Sequence, residues 1–213
     1  MKKWILALVS ALLFLSPVLE AKSRRYEVKS GMVSYELSGG GSMLGIKTSR
    51  NGHKTLYFED YGNVEVQETE ETTTTMGRTE RHHELVKIMN GMVYSVDFED
   101  KVIIKQDMTN MMEDKDVGKM GKDMLEQMGG KKVGSGKVLG HTCEIWEVMG
   151  SRIWIHKGVT LKTEANIMGM KHAEIATEAK FGKSIPSDKL KLPDFPVRTL
   201  DEVMQQKMNA PDR

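Results

Sequence analysis

Between residues 26 and 106 the dominant spacing of the apolar side chains is two, and a chain with that period has to bury one face of a pleated sheet. "YEVKSGMVSYELSG" sets Val33, Tyr35 and Leu37 on one side of a strand, and "NVEVQETEETTTTMG" places Val64 and Val66 at the same spacing in a threonine-rich run. Asn-Gly, the dipeptide preferred by two-residue hairpin turns, occurs at Asn51-Gly52 and again at Asn90-Gly91. The first is expected to split "SMLGIKTSRNGHKTLYF" into two strands. The second is followed by Met92, Tyr94, Val96 and Phe98 on one face, and "KVIIKQ" supplies a further strand. "GGGS" at Gly39 to Ser42 reads as a flexible turn between strands, because no helix follows it to make a phosphate cradle.

The period changes at residue 107. Val117, Met120, Met124 and Met128 fall at spacings of three and four, acids stand near the start and Gly129-Gly130 near the stop, so a helix of three or four turns is expected. Strand patterning then resumes in "GKVLGHTCEIWEVM", "SRIWIHKG", "VTLKTEANIMG" and "MKHAEIATEAKFG", with Gly140, Gly150, Gly158 and Gly169 at ends or bends. Pro186, Pro193 and Pro196 punctuate the tail. Thr199 and Glu202 have the spacing of a capping box, which predicts a short final helix carrying Leu200, Val203, Met204 and Met208 on its apolar side. The expectation is mainly β (α+β): about nine antiparallel strands forming a curved antiparallel sheet or half-open β-barrel, with a helical lid inserted mid-chain and a short C-terminal helix.

Composition narrows the function classes. The 213 residues suit a single domain. Residues 1–21 pair Lys2 and Lys3 with "WILALVSALLFLSPVL" and end in Ala21, the form of an export signal with residues 22–213 as the mature domain. Without Lys2, Lys3 and Glu20 the 31 basic and 30 acidic residues become balanced, which removes the electrostatic case for nucleic acid. Cys143 is the only cysteine, so an intramolecular disulfide is excluded, and a buried thiol is expected. A periplasmic or secreted product with no stable membrane span after cleavage follows.

"G-x-x-C-x-x-W" in "GHTCEIW" together with "WIHKGVTLK", set behind an export signal, a meander and a helical insertion, resembles the periplasmic lipoprotein-carrier superfamily of LolA and LolB, and within it a bacterial domain family of unknown function. The resemblance spans roughly residues 26–196. It implies a half-open barrel whose hydrophobic cavity holds acyl chains, and it implies no catalytic residue. This chain is aromatic-poor, at 6%, and carries 17 methionines. Methionine is unbranched and polarizable, so a groove lined by Met120, Met124, Met128, Trp146, Trp154, Leu161, Met168 and Met170 could remould around varied apolar ligands. Each of these positions also serves as ordinary core.

Other chemistries find weaker patterns. Met108, Met111 and Met112 with His82-His83, or with His141 and Cys143, offer soft ligands to Cu(I), but Met111 and Met112 diverge by about 100° on a helix. No cofactor or metal is therefore expected. Six scattered histidines and the absence of G-x-S-x-G or H-E-x-x-H argue against an enzyme. His141 and Cys143 share a strand face, yet no third orienting group can be named, so a buried thiol beside a surface imidazole is expected. The functional expectation is an exported binder of a lipid or lipoprotein acyl chain, with a structural or protein-interaction module of the envelope, facing a protein partner, as the alternative.

Overall fold

A computed structural model describes residues 24–43, 45–109, 125–167 and 169–209. Twelve strands form one sheet in the order β12-β6-β5-β4-β3-β2-β1-β11-β10-β9-β8-β7. They are β1 (Gly31–Met43), β2 (Ile46–Glu59), β3 (Val64–Thr75), β4 (Arg78–Met89), β5 (Met92–Asp97), β6 (Val102–Asp107), β7 (Lys131–Val138), β8 (His141–Val148), β9 (Ser151–His156), β10 (Val159–Ile167), β11 (Met170–Phe181) and β12 (Val197–Thr199). One helix, α1 (Leu200–Asn209), follows β12.

The count of about nine strands is corrected to twelve, and the sheet is mixed, because β12 lies parallel to β6 along Val197↔Ile103 to Thr199↔Lys105. It is not closed: β12 and β7 are its two edges, so a closed barrel is excluded. The sheet still bends. Phe181 on β11 and His141 on β8 have two strands between them, about 14 Å on a flat sheet, yet their rings stand 5.0 Å apart. Register shifts at Ser34/Tyr35, Thr160/Lys162 and Lys132/Gly134 provide the bulges that allow this curl.

The first hairpin is also corrected. Asn51 and Gly52 lie inside β2, opposite Ser38 and Leu37 on one side and Thr72 and Glu71 on the other. β1 ends instead at Met43 and β2 begins at Ile46. Gly39 to Ser42, expected as a loop, belong to β1. These glycines answer to neighbouring backbone: a Cβ on Gly52 would meet the Glu70 carbonyl oxygen at 2.3 Å, and one on Gly41 the Gly169 carbonyl oxygen at 2.3 Å. Continuous pairing on both sides of β2 outweighs the local turn preference of Asn-Gly. The second Asn-Gly behaves as expected, joining β4 to β5 with both residues at positive φ.

The core gathers Val33, Tyr35, Leu56, Phe58, Val138, Cys143, Trp154, Val159, Leu161 and Ala176, with Tyr26, Val28 and Phe181 packed against it. The tail covers other residues of β2 to β6. Ile185 donates its N–H to Glu59 at 2.8 Å, the Lys189 ammonium reaches Glu68 at 2.9 Å, and Phe195 meets Phe98 edge-on. Lys87, only 1% exposed, donates to the Lys191 carbonyl, which gives its buried ammonium an acceptor. The expected lid helix falls mainly on residues 110–124, outside the described residues. Its flanks are placed: Met108 donates to the Gly91 carbonyl at one end of the sheet, whereas Gly130 donates to the Leu125 carbonyl and sits against Val148 at the other. Residues 125–127 are helical and stop at Gly129-Gly130, as the sequence predicts.

Candidate functional site

The residues expected to line a groove are dispersed. Met120, Met124 and Met168 lie outside the described residues. Leu161 is fully buried and Trp154 nearly so, both within the core cluster. Trp146 pairs with Ile153 and Trp154 with Ile145, so the two indoles stand on opposite faces of the β8–β9 ribbon. The Trp146 indole N–H donates to Glu144 at 3.3 Å. Met128 is exposed and Met170 half-buried, both toward the end of the sheet that holds the β8–β9 and β10–β11 turns.

Above the apolar core runs a charged belt. Tyr35, Lys54 and Thr69 align across β1, β2 and β3, as do Leu37, Gly52 and Glu71 one step along the same face. Lys54 pairs with Glu174 and sits 4.3 Å over the Tyr35 ring, whose hydroxyl donates to the Thr160 carbonyl at 2.8 Å. Arg50 donates from Nε to Glu71 at 2.8 Å and lies 3.4 Å from His172 Nδ1. Burial first, and the Arg50 charge second, hold the His172 imidazole below its ordinary pKa. Both carboxylates of this belt are matched by a base, so it carries no spare charge with which to hold an ionic ligand.

The Glu68, Glu70 and His83 side chains bring ligand atoms within 4.8 Å of one another and could hold a metal ion by position. Glu68 is already engaged by the Lys189 ammonium and by His83 Nε2 at 3.2 Å, and that ion pairing holds its carboxyl below the ordinary range. His83 stacks on Phe98 with ring centroids 4.0 Å apart. The cluster is a tail-to-sheet ion pair. His141 and Cys143 do not form a thiol–imidazole pair: the thiol donates to the His141 carbonyl at 3.4 Å, and burial pushes it up in pKa. The His141 ring, expected at the surface, packs edge-on against Phe181 and tilts toward His156. The core aromatics anchor it there.

Open space lies at the hairpin end. A hollow of about 650 Å³ is lined by Gly41, Ser42, Thr48, Thr74, Met76 and Gly77 among others. A second, of about 630 Å³, is lined by Gly129, Val133, Val148, Met149 and Asn166 among others. Both face solvent. Around them stand Ile46, Met76, Met149 and Ile167, at 44%, 78%, 72% and 51% exposure. Sequence reasoning passed over these four residues, although apolar residues immediately before Gly77 and Gly150 between strand patterns were a readable signal.

No family model matches the chain, and no curated protein matches it. Among solved structures it is similar to an uncharacterized conserved protein from Thermus thermophilus, with a TM-score of 0.43 and 8% identity over 78% of this chain and 90% of that one. It is similar to a putative outer membrane lipoprotein-sorting protein domain from Vibrio parahaemolyticus, with a TM-score of 0.30 and 9% identity over 77% and 90% of the two chains. A DUF1329 family protein from Desulfovibrio piger gives 0.32 and 9% over 78% and 90%. Likenesses at these scores assign the chain neither ligand nor activity.

Proposed function

We propose that the protein is exported to the cell envelope and, without catalysing a reaction, binds an apolar chain, that of a lipid or of a lipoprotein acyl group. One observation carries this reading: the unclosed sheet ends in an open hollow of about 650 Å³ bordered by Met76, a size within the roughly 300–1,000 Å³ of small-molecule sites. The groove proposed from sequence shifts accordingly. Trp154 and Leu161 stay in the packed core, and the guest is proposed to lie toward the hairpin end near Met170, which pairs with Gly41 of the hollow's lining, with Met128 beside the second hollow. Met120 and Met124, on the segment joining opposite ends of the sheet, are proposed to close over it, and their unbranched thioethers suit a guest of variable shape.

The test is uptake of the fluorescent fatty acid cis-parinaric acid. Wild type is expected to bind it, and the double variant Met120→Asp/Met124→Asp to lose binding while the far-ultraviolet spectrum of the sheet is unchanged. Unchanged uptake would remove the methionine cover from the account. Absence of uptake by wild type would favour the second reading, an interaction module with a protein partner, which the solid packing around Leu161 supports. Mass spectrometry of organic extracts from protein purified out of its native envelope separates the two directly.

A further inference from the structure

Five hairpins turn on the same backbone geometry, with a residue at positive φ followed by a glycine at positive φ: Met76-Gly77, Asn90-Gly91, Leu139-Gly140, Met149-Gly150 and Lys157-Gly158. This two-residue turn matches the twist of the flanking strands and favours Asn or Asp in its first position, because their side chains tolerate the left-handed region. A methionine there is strained and gains no burial in return. Met76 and Met149 nevertheless occupy it with 78% and 72% of their surface in water.

The two methionine tips lie at one end of the sheet and belong to one rim. Met76 donates its N–H to the Lys47 carbonyl, beside Ile46. The turn after β10 adjoins β1, with Gly169 against the Ser42 carbonyl, and Asn166, next to Ile167, donates to the Gly150 carbonyl beside Met149. Met76, Ile46, Ile167 and Met149 therefore follow one another along the rim as separate apolar prongs. The β5–β6 turn with Glu99 and Asp100 does not reach it. That turn stops level with the Glu84↔Asp97 pair, below the Met76 tip by the stretch of β4 from Glu84 to Arg78, about 20 Å of strand.

Cations surround the prongs. Lys47, Arg78 and Lys171 flank the Met76 and Ile167 turns, all three exposed and without an ion-pair partner among the described residues. Among the described residues the acids nearby are partly neutralised, Glu71 by Arg50, Glu147 by Arg152 and Glu164 by Lys162, which leaves Glu70, Glu80 and Glu126. Apolar groups standing proud of a cationic collar match a surface whose outer layer is anionic and whose interior is hydrocarbon.

We infer that this rim is a membrane-docking edge, in which Met76, Ile46, Ile167 and Met149 enter the headgroup boundary of an anionic phospholipid bilayer while Lys47, Arg78 and Lys171 contact the phosphates. The inference rests on the reading that the protein handles lipids, but it has its own readout. The experiment is co-sedimentation of the protein with phosphatidylglycerol or phosphatidylcholine vesicles, with cis-parinaric acid uptake measured on the same preparation before vesicles are added. Phosphatidylglycerol vesicles are expected to be bound, and phosphatidylcholine about tenfold more weakly because the collar loses its counter-charge.

Met76→Asn/Met149→Asn should weaken vesicle binding by about tenfold or more, since the apolar contacts go, while the melting temperature stays equal or rises because Asn-Gly suits both turns. Lys47→Gln/Arg78→Gln/Lys171→Gln should abolish the preference for phosphatidylglycerol. Wild type that takes up the fatty acid but sediments with neither vesicle overturns the docking edge and leaves ligand binding intact; the reverse result overturns ligand binding alone. Undiminished vesicle binding by the Met→Asn variant also overturns the docking edge. So does a concentration-dependent dimer abolished by that variant in the absence of vesicle binding, which would make the rim a protein interface.

Discussion

At the scale of single residues, the buried hydroxyls and ion pairs make the sharpest predictions. Tyr26, half-buried against the core, donates to Glu65 at 2.8 Å, and burial, then the Glu65 charge, raises its phenol well above the ordinary 10.0. Tyr35 is raised in the same direction, mainly by burial and then by Glu174. A phenol that ionises later in the folded chain than in the unfolded chain contributes stability that is complete below about pH 10 and drains away as the pH climbs toward the folded value. An ultraviolet titration should therefore show Tyr26 and Tyr35 still un-ionised above pH 10 and released in a cooperative step as the fold opens. Smooth ionisation of all five tyrosines near pH 10 would contradict the buried placement. Glu68 has the opposite sign. Lys189, then His83, lowers its pKa, so its contribution is present above the ordinary carboxyl value of 4.5 and is lost as pH falls through the folded one. In Lys189→Met the Glu68 carboxyl is expected to titrate closer to 4.5 by carbon NMR. The stability change should stay below about 1 kcal/mol, because the pair is partly exposed.

At the scale of elements, local chemistry was read correctly where it acts alone and misread where two neighbours compete for it. Thr199 and Glu202 form the reciprocal cap that their spacing predicts: the Thr199 N–H donates to Glu202 at 2.7 Å, and the Glu202 N–H to the Thr199 hydroxyl at 3.3 Å. Thr199→Ala is therefore expected to fray α1, seen as faster hydrogen exchange in the first turn with the sheet unaffected. Equal protection in the variant would mean that packing on β6, not the cap, defines the start. The Gly129-Gly130 stop and the Asn90-Gly91 turn were legible for the same reason. Asn51-Gly52 was not, because a strand paired on both sides along its length overrules a turn dipeptide. The tail strand β12 was hidden as well: three residues behind Pro196 carry no periodicity, and it is pairing with β6, led by the Ile103 N–H donating to the Pro196 carbonyl, that brings them to the edge.

At the scale of the whole molecule, alternation revealed a sheet of many strands but not whether it would close. Closure depends on shear and on bulge positions such as Thr160/Lys162, which no single stretch encodes. The candidate site was less legible than the fold. Burial sorted the expected apolar lining into core residues such as Leu161 and rim residues such as Met128, and sequence spacing cannot distinguish these. A sheet left open keeps two free borders, and each border here is blunted. β12 is only three residues long, and β7 is the run "KKVGSGKV", with exposed Lys131, Lys132 and Lys137 between glycines. Charge and missing side chains along such a border oppose the docking of a second copy strand to strand. Replacing the three lysines with threonine is therefore expected to turn a protein that stays dispersed at high concentration into one that seeds thioflavin-positive fibrils. The molecule, in other words, tolerates an unfinished circle because its loose ends are poor templates for amyloid.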